Sequence, residues 1–233
     1  MKSKLEAISF IQLNKDVSSA RLRLSTETLL PLLNEDIKSG FIEGDEITAE
    51  SILRGILYLY AHDPNFKNRE DYQLIIDSLG EESVLLSFIH SHVSDNLDLA
   101  YDLVSGFTVF YPESLRAAVL RSEYANLLFE RDEDPRYLEE SRQVLAPFKD
   151  TGDFRVLYHL AHLELFNQRY EEAKVLFIEL LKHEEGKPFI EEISSTLRSI
   201  EEEQLFLKAK EALFDEHYDL AIKEFSSLDE NFS

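Results

Sequence analysis

The segments RYEEAKVLFIELLK (169–182) and HYDLAIKEFSSL (217–228) place the same three residue types at the same intervals. Tyr170, Ala173 and Phe177 recur as Tyr218, Ala221 and Phe225. Intervals of three and four gather such residues on one face of an α-helix, whereas a strand would scatter them over both faces. A small residue between two aromatic ones lets a second helix approach closely while the rings fill the space above and below it. The echo therefore predicts helices packed in pairs.

Composition agrees with helices. Gly and Pro number only seven and six, and apolar residues make up 44% of the 233, enough for a substantial core. Asp and Glu outnumber Lys and Arg 46 to 24, a formal charge of -22 that repels nucleic-acid backbones and anionic membrane surfaces. The first 23 residues run the other way: Lys2, Lys4, Lys15, Arg21 and Arg23 face only Glu6 and Asp16, so this basic arm could fold back onto the acidic remainder. With no cysteine there are no disulfides, thiolate nucleophiles or cysteine-ligated metals. The opening MKSKLEAISFIQL has too short an apolar run for a signal peptide, and no stretch approaches a membrane span. A cytoplasmic location is the expectation.

From residue 81 onward, breaks fall at 80–83, 93–96, 110–114, 131–136, 149–153, 166–169, 184–188 and 214–217, leaving segments of helical length between short loops. Leu157, Leu160, Ala161 and Leu165 line one stripe of such a segment. Gly186 is placed to end a helix in the left-handed conformation, with Pro188 opening the next. The first eighty residues are less regular. ITAESILRGILYLYAH (47–62) reads as a helix with Ile52, Leu53, Ile56, Leu57 and Tyr60 on or near one face, and residues 24–40 read as a helix that Pro31 must start or kink. Residues 8–24 admit either helices or a short hairpin turning at Asn14 to Asp16, with helices favoured. The expected fold class is all-α, with a mostly helical region 1–80 and a repeat region 81–233. No Gly-, Ser- or Pro-rich linker separates them, so the boundary is soft and compatible with one continuous domain.

The residues at 154–187 resemble a tetratricopeptide repeat, a 34-residue helix-turn-helix unit. Leu157, Leu160 and Ala161 match the first helix, and Tyr170, Ala173 and Phe177 the second. Glu164 departs from the pattern where a large residue is wanted, so Leu163 or Leu165 must supply that contact. A partial unit at 202–233 rests on Leu205, Ala209, Tyr218, Ala221 and Phe225, with Lys208 and Ala212 off-pattern. Ala100, Val104 and Pro112 suggest a degenerate unit at 81–114, and Tyr137, Ser141 and Leu145 another at 115–150. The resemblance implies antiparallel helix pairs stacked as an α-α superhelix. The interval from Tyr170 to Tyr218, longer than one repeat, calls for a lengthened or additional helix.

In this family the first helices of successive pairs line a concave groove that binds peptides or partner helices. Carried over, the groove positions are Arg155, Tyr158 and His162 with Phe166 at the edge, then Glu203, Phe206, Lys210 and Phe214, and Ser122 and Asn126 in the degenerate unit. The candidate partner-binding set is Asn126, Arg155, Tyr158, His162, Phe206 and Lys210, combining aromatic area with charge-assisted hydrogen bonding. For any one aromatic residue, packing on a neighbouring helix is the simpler role. Only Asn126 and Lys210 could belong to a clamp for a terminal carboxylate, so no such clamp is expected.

Signals for chemistry are weak. His159 with His162, and His90 with His92, lack a third metal ligand at a matching spacing, and no phosphate loop, dinucleotide fingerprint or nucleophile elbow occurs. No cofactor or catalytic residue is assigned, and an enzyme is the weakest reading. The leading expectation is a scaffold or adaptor for a protein or peptide partner. The alternative is a peptide-sensing domain of a transcriptional regulator, although residues 1–80 show no clear DNA-reading motif. A homodimer through the C-terminal end is a further expectation, with Leu220, Ile222 and Leu228 as its candidate contact residues.

Overall fold

The computed structural model describes residues 4–18, 23–43 and 48–232. The chain is mostly helical and forms two compact units, Met1–Val144 and Leu145–Ser233.

The N-terminal unit opens with a 3-10 turn (Lys4–Ala7) and strands β1 (Ile8–Gln12), β2 (Val17–Ser18), β3 (Arg23–Leu24) and β4 (Leu29–Leu33). β1 pairs antiparallel with β4, from Ile8 opposite Leu33 to Gln12 opposite Leu29, and β2 with β3 continues that register, Val17 opposite Leu24. The two antiparallel ladders thus share one register, and residues 19–22 lie outside the described residues. This corrects two expectations. Residues 8–18 are not helical and no turn closes at Asn14 to Asp16, which lie between β1 and β2; the helix expected over 24–40 begins only at Asn34. The run LLPLL has no 3.6-residue period, and Leu30, Leu32 and Leu33 are all buried, as in a strand covered on both faces. β4 pairs on one side only, and an edge strand tolerates Pro31.

Helices α1 (Asn34–Glu43), α2 (Ala49–His62), α3 (Arg69–Leu79), α4 (Glu82–His90), α5 (Leu97–Phe110), α6 (Leu115–Asp132) and α7 (Arg136–Leu145) follow. Thr48 caps α2, Asn96 caps α5 and Ser114 caps α6, each accepting a hydrogen bond from a first-turn amide. α2 packs between β4 and α5. The expected face of α2 is buried at Leu53, Ile56, Leu57 and Tyr60, and Leu59 joins it. On α5 every residue from Leu99 to Phe107 is buried. Two glycines permit this layering. A Cβ on Gly55 would overlap the carbonyl oxygen of Pro31, and one on Gly106 would overlap that of Leu57. Around them the Tyr72 hydroxyl donates to the Leu29 carbonyl at 2.6 Å, and Tyr60, Phe66, Tyr72 and Phe110 form a ring cluster.

The C-terminal unit contains α8 (Phe154–Phe166), α9 (Tyr170–Leu180), α10 (Ile190–Phe214) and α11 (Tyr218–Phe232). Short loops make α8 antiparallel to α9 and α10 antiparallel to α11. The long interval between tyrosines is taken up by a 3-10 turn, Glu184–Phe189, and the 25 residues of α10. Gly186 lies inside that turn without a left-handed φ; it is small because it lies against the Leu180 carbonyl.

The two helix pairs turn in the same way. After α8 the amides of Gln168 and Arg169 donate to the carbonyls of Leu165 and Glu164; after α10 those of Glu216 and His217 donate to Leu213 and Ala212. This is the Schellman arrangement, with Gln168 (φ 57°) and Glu216 (φ 61°) in the left-handed position usually held by glycine. The alanines that follow the pattern are buried in both pairs: Ala161 and Ala173 at 0%, Ala209 at 0% and Ala221 at 2% exposure.

Two stability measurements test these readings. Gly106→Ala should lower the unfolding free energy by at least roughly 2–3 kcal/mol, because helix backbone on both sides must move to admit a methyl group. Gln168→Gly should instead raise it by about 0.5–1 kcal/mol by relieving the left-handed residue, less the entropy that glycine adds to the unfolded chain. Urea denaturation of each variant beside the wild type checks both.

Candidate functional site

The candidate binding residues divide between the units. Asn126 lies on α6 in the N-terminal unit, while Arg155, Tyr158 and His162 on α8 and Phe206 and Lys210 on α10 lie in the C-terminal one. Ser122, expected beside Asn126 in the groove, is fully buried, and its hydroxyl meets that of Ser141 on α7 at 2.6 Å. The two hydroxyls thereby satisfy each other in a buried setting.

On α8, the Asp153 side chain caps the helix by accepting from the Arg155 and Val156 amides, and it also pairs with the Arg155 guanidinium at 3.0 Å. That guanidinium and the capping hydrogen bonds hold the Asp153 carboxyl below its ordinary range. One turn on, Tyr158 and His162 lie with ring centroids 4.5 Å apart. The first turn of α10 and the residue before it cover them. The Tyr158 hydroxyl donates to Glu192 Oε1 at 2.7 Å, and Phe189 lies 5.6 Å from the Tyr158 ring. Glu192 Oε1 is also 3.7 Å from His162 Nε2, and the His162 ring meets Phe177 edge-on at 5.1 Å. Tyr158 therefore packs on a neighbouring helix, the simpler of its two roles.

This setting shifts both groups. Burial, reinforced by the hydrogen bond to the Glu192 carboxylate, pushes the Tyr158 hydroxyl up to about 12. Burial lowers His162; the Glu192 charge works against that shift and neighbouring His159 with it. Glu192 and Phe189 are neighbours of these candidate residues that the sequence did not disclose. Only the surplus length between the two tyrosines hinted that extra helix would reach this face of α8. The off-pattern Glu164 bonds to Arg169 at 3.1 Å with its side chain 12% exposed, and Leu163, 2% exposed, supplies the apolar contact in its place.

Comparison finds no family model that matches the chain, no similar curated protein and no similar solved structure. The site therefore rests on its own geometry.

Further along α10, Phe206, Lys210 and Phe214 are exposed at intervals of four, one stripe of the helix. Phe214 is 75% exposed, and Tyr218 and Ile222 on α11 are 58% and 65% exposed. Phe206 also meets Phe225 of α11 edge-on at 6.0 Å, so its orientation is fixed by packing. The other histidine pair diverges: His90 Nδ1 faces the Tyr124 hydroxyl at 2.7 Å, whereas His92 Nδ1 donates to the Phe88 carbonyl at 2.9 Å. Among the described residues, no group of three or more metal-ligating side chains is gathered, and no helix is long and apolar enough to cross a membrane.

The lowered His162 makes a pH prediction. An unfolded histidine titrates near 6.5, so as pH falls the unfolded chain takes up this proton before the folded chain does. Stability from this site is thus intact above about pH 6.5 and declines below it. Thermal melts should show His162→Gln losing less stability than the wild type between roughly pH 7 and pH 5, the range in which histidine changes charge.

Proposed function

We propose that the chain is a protein-interaction scaffold built from tetratricopeptide-like helix pairs, and that the α10–α11 hairpin holds an amphipathic partner helix. The observation that carries this reading is the exposed apolar series Phe206, Phe214, Tyr218 and Ile222, side chains that a monomer ordinarily covers. The recurrence of the turn hydrogen bonds and buried alanines in α8–α9 and α10–α11 supports the family likeness.

Spacing and charge describe the partner. Phe206 and Phe214, about two helical turns apart on α10, suit a helix laid along it, as in ridge-into-groove packing. Glu201, Glu202 and Glu203 on α10 and Asp219 and Glu224 on α11 flank the apolar positions, so the complementary helix carries lysine or arginine at its edges. Lys210, between Phe206 and Phe214, adds its aliphatic stem to the apolar surface. Tyr158 and His162 shape the α8–α10 junction rather than meeting the partner.

Affinity capture with the wild type beside Phe206→Ala/Phe214→Ala tests the proposal. Phe214 is mostly exposed and Phe206 gives up one edge-on contact with Phe225, so the double variant should stay within about 1.5 kcal/mol of wild type in stability and remain folded. A protein captured by the wild type and lost with the double variant supports the reading. Capture of the same proteins by both refutes it, and concentration-dependent sedimentation lost in the double variant assigns the surface to a second copy of this chain instead.

A further inference from the structure

Among the described residues, Asp102 on α5 is the one charged residue buried overall, at 6% exposure. A carboxylate in such a place is strongly disfavoured unless a cation accompanies it. The permanent cation is Lys4, whose Nζ stands 3.2 Å from each Asp102 oxygen. His62 Nε2 also lies 3.2 Å from one of those oxygens, but imidazole carries a charge only when protonated. Lys4 is weakly anchored in this position: its side chain is 61% exposed, and the turn that carries it, Lys4–Ala7, has no buried residue. The turn itself is tied down, Asn34 donating to the Glu6 carbonyl, so a deeply placed anion is neutralised by a lysine whose side chain alone is free to swing away.

The space around this ion pair is large. Two cavities of about 420 and 330 Å³ lie in the N-terminal unit, and Lys4, Asp98 and Asp102 line both. Glu35 and Tyr58 complete one acidic, aromatic wall, and Tyr101, Tyr137 and Glu140 the other. Ser105, 8% exposed, also lines the second cavity, and its hydroxyl has no hydrogen-bond partner among the described residues. Two guanidiniums reach the second cavity, but Arg136 is paired with Asp134 and Arg121 has Glu140 at 3.9 Å and donates to Thr108 at 3.2 Å. Asp98 is held from outside the cavity by Arg131. With Lys4 displaced, the carboxylates of the combined recess outnumber its cations.

We propose that this recess binds an aliphatic di- or polyamine, with one ammonium taking the place of Lys4 on Asp102. The Arg121 guanidinium already lies over the Tyr101 ring, so the Tyr58 and Tyr137 rings receive the apolar stem and the attached positive charge, and a flanking carboxylate receives a second ammonium. The -22 charge of the chain concentrates polycations at its surface and so assists entry. Lys4 then acts as a tethered competitor, present at high effective concentration until a ligand displaces it.

Isothermal titration of the full chain with spermidine at low ionic strength, with magnesium ion as the charge-only control, tests the proposal. Lys4→Ala removes the competitor and should bind spermidine about tenfold more tightly than wild type. Asp102→Asn should weaken binding at least about tenfold. Asp98→Asn, at a half-exposed position where only a surface pair with Arg131 is weakened, should weaken it by a smaller factor, and it decides the matter if Asp102→Asn fails to fold. Equal affinity of wild type and Lys4→Ala, or a spermidine signal that magnesium reproduces and neither aspartate variant changes, overturns the proposal and leaves only diffuse attraction to an acidic surface.

Discussion

The N-terminal unit depends on how closely α2 can be approached from both sides. Gly55 lets β4 lie against the α2 backbone at Pro31, and Gly106 lets α5 lie against it at Leu57. Side-chain packing alone holds helices about 8–10 Å apart. Where a glycine replaces a side chain the backbones come nearer, and the residues around it must then fit a fixed gap. That is why α5 is buried along nine consecutive residues and Asp102 is carried inward among them. Asp102 cannot face solvent without turning Leu103 or Val104, both 0% exposed, out of the core. The ion pair with Lys4 is therefore a consequence of the packing rather than its cause.

The C-terminal unit is organised by its turns. A left-handed residue other than glycine costs on the order of 1–2 kcal/mol, yet it occurs at Gln168 and again at Glu216. The hydrogen bonds it allows close the end of one helix and aim the next back along it, bringing Ala161 close to the α9 residues around Ala173 and Ala209 to the α11 residues around Ala221. Small residues on both sides of each pair are then required, since a larger one would separate the helices.

The sequence disclosed the parts governed by local rules. Most helix ends lie in or beside the breaks read from 80–83 to 214–217, because Gly, Pro, Asn and Asp act on their immediate neighbours, whereas α4, α7 and α9 stop earlier, at His90, Leu145 and Leu180. The buried face of α2 and the alanine pairs followed from spacing. Among the candidate site residues, Phe206 and Lys210 are exposed on one stripe as their spacing implied. What stayed hidden is set by distant partners. LLPLL looks helical by composition, and its strand pairing is made with residues more than fifteen positions earlier. The surplus residues before Tyr218 were visible, but not that they would carry Phe189 and Glu192 over Tyr158 and His162. The charge contrast allowed the basic arm to meet the acidic body; that Lys4 does so at one buried carboxylate depends on α5 being enclosed.

Electrostatics constrains any partner as firmly as shape does. Several arginines are committed to nearby acids: Arg131 to Asp98 and Asp132, Arg136 to Asp134, Arg142 to Glu139, Arg155 to Asp153 and Arg169 to Glu164. Most of these pairs are exposed and add little stability, but they leave few cations to offset the remaining carboxylates. An acidic partner would meet repulsion over the whole surface, and salt screens that only beyond about 10 Å. A basic one would gain long-range attraction, which raises the rate of encounter more than it raises affinity. In the reading proposed above, the exposed aromatic and aliphatic side chains of α10 and α11 supply the local apolar contact that attraction alone does not.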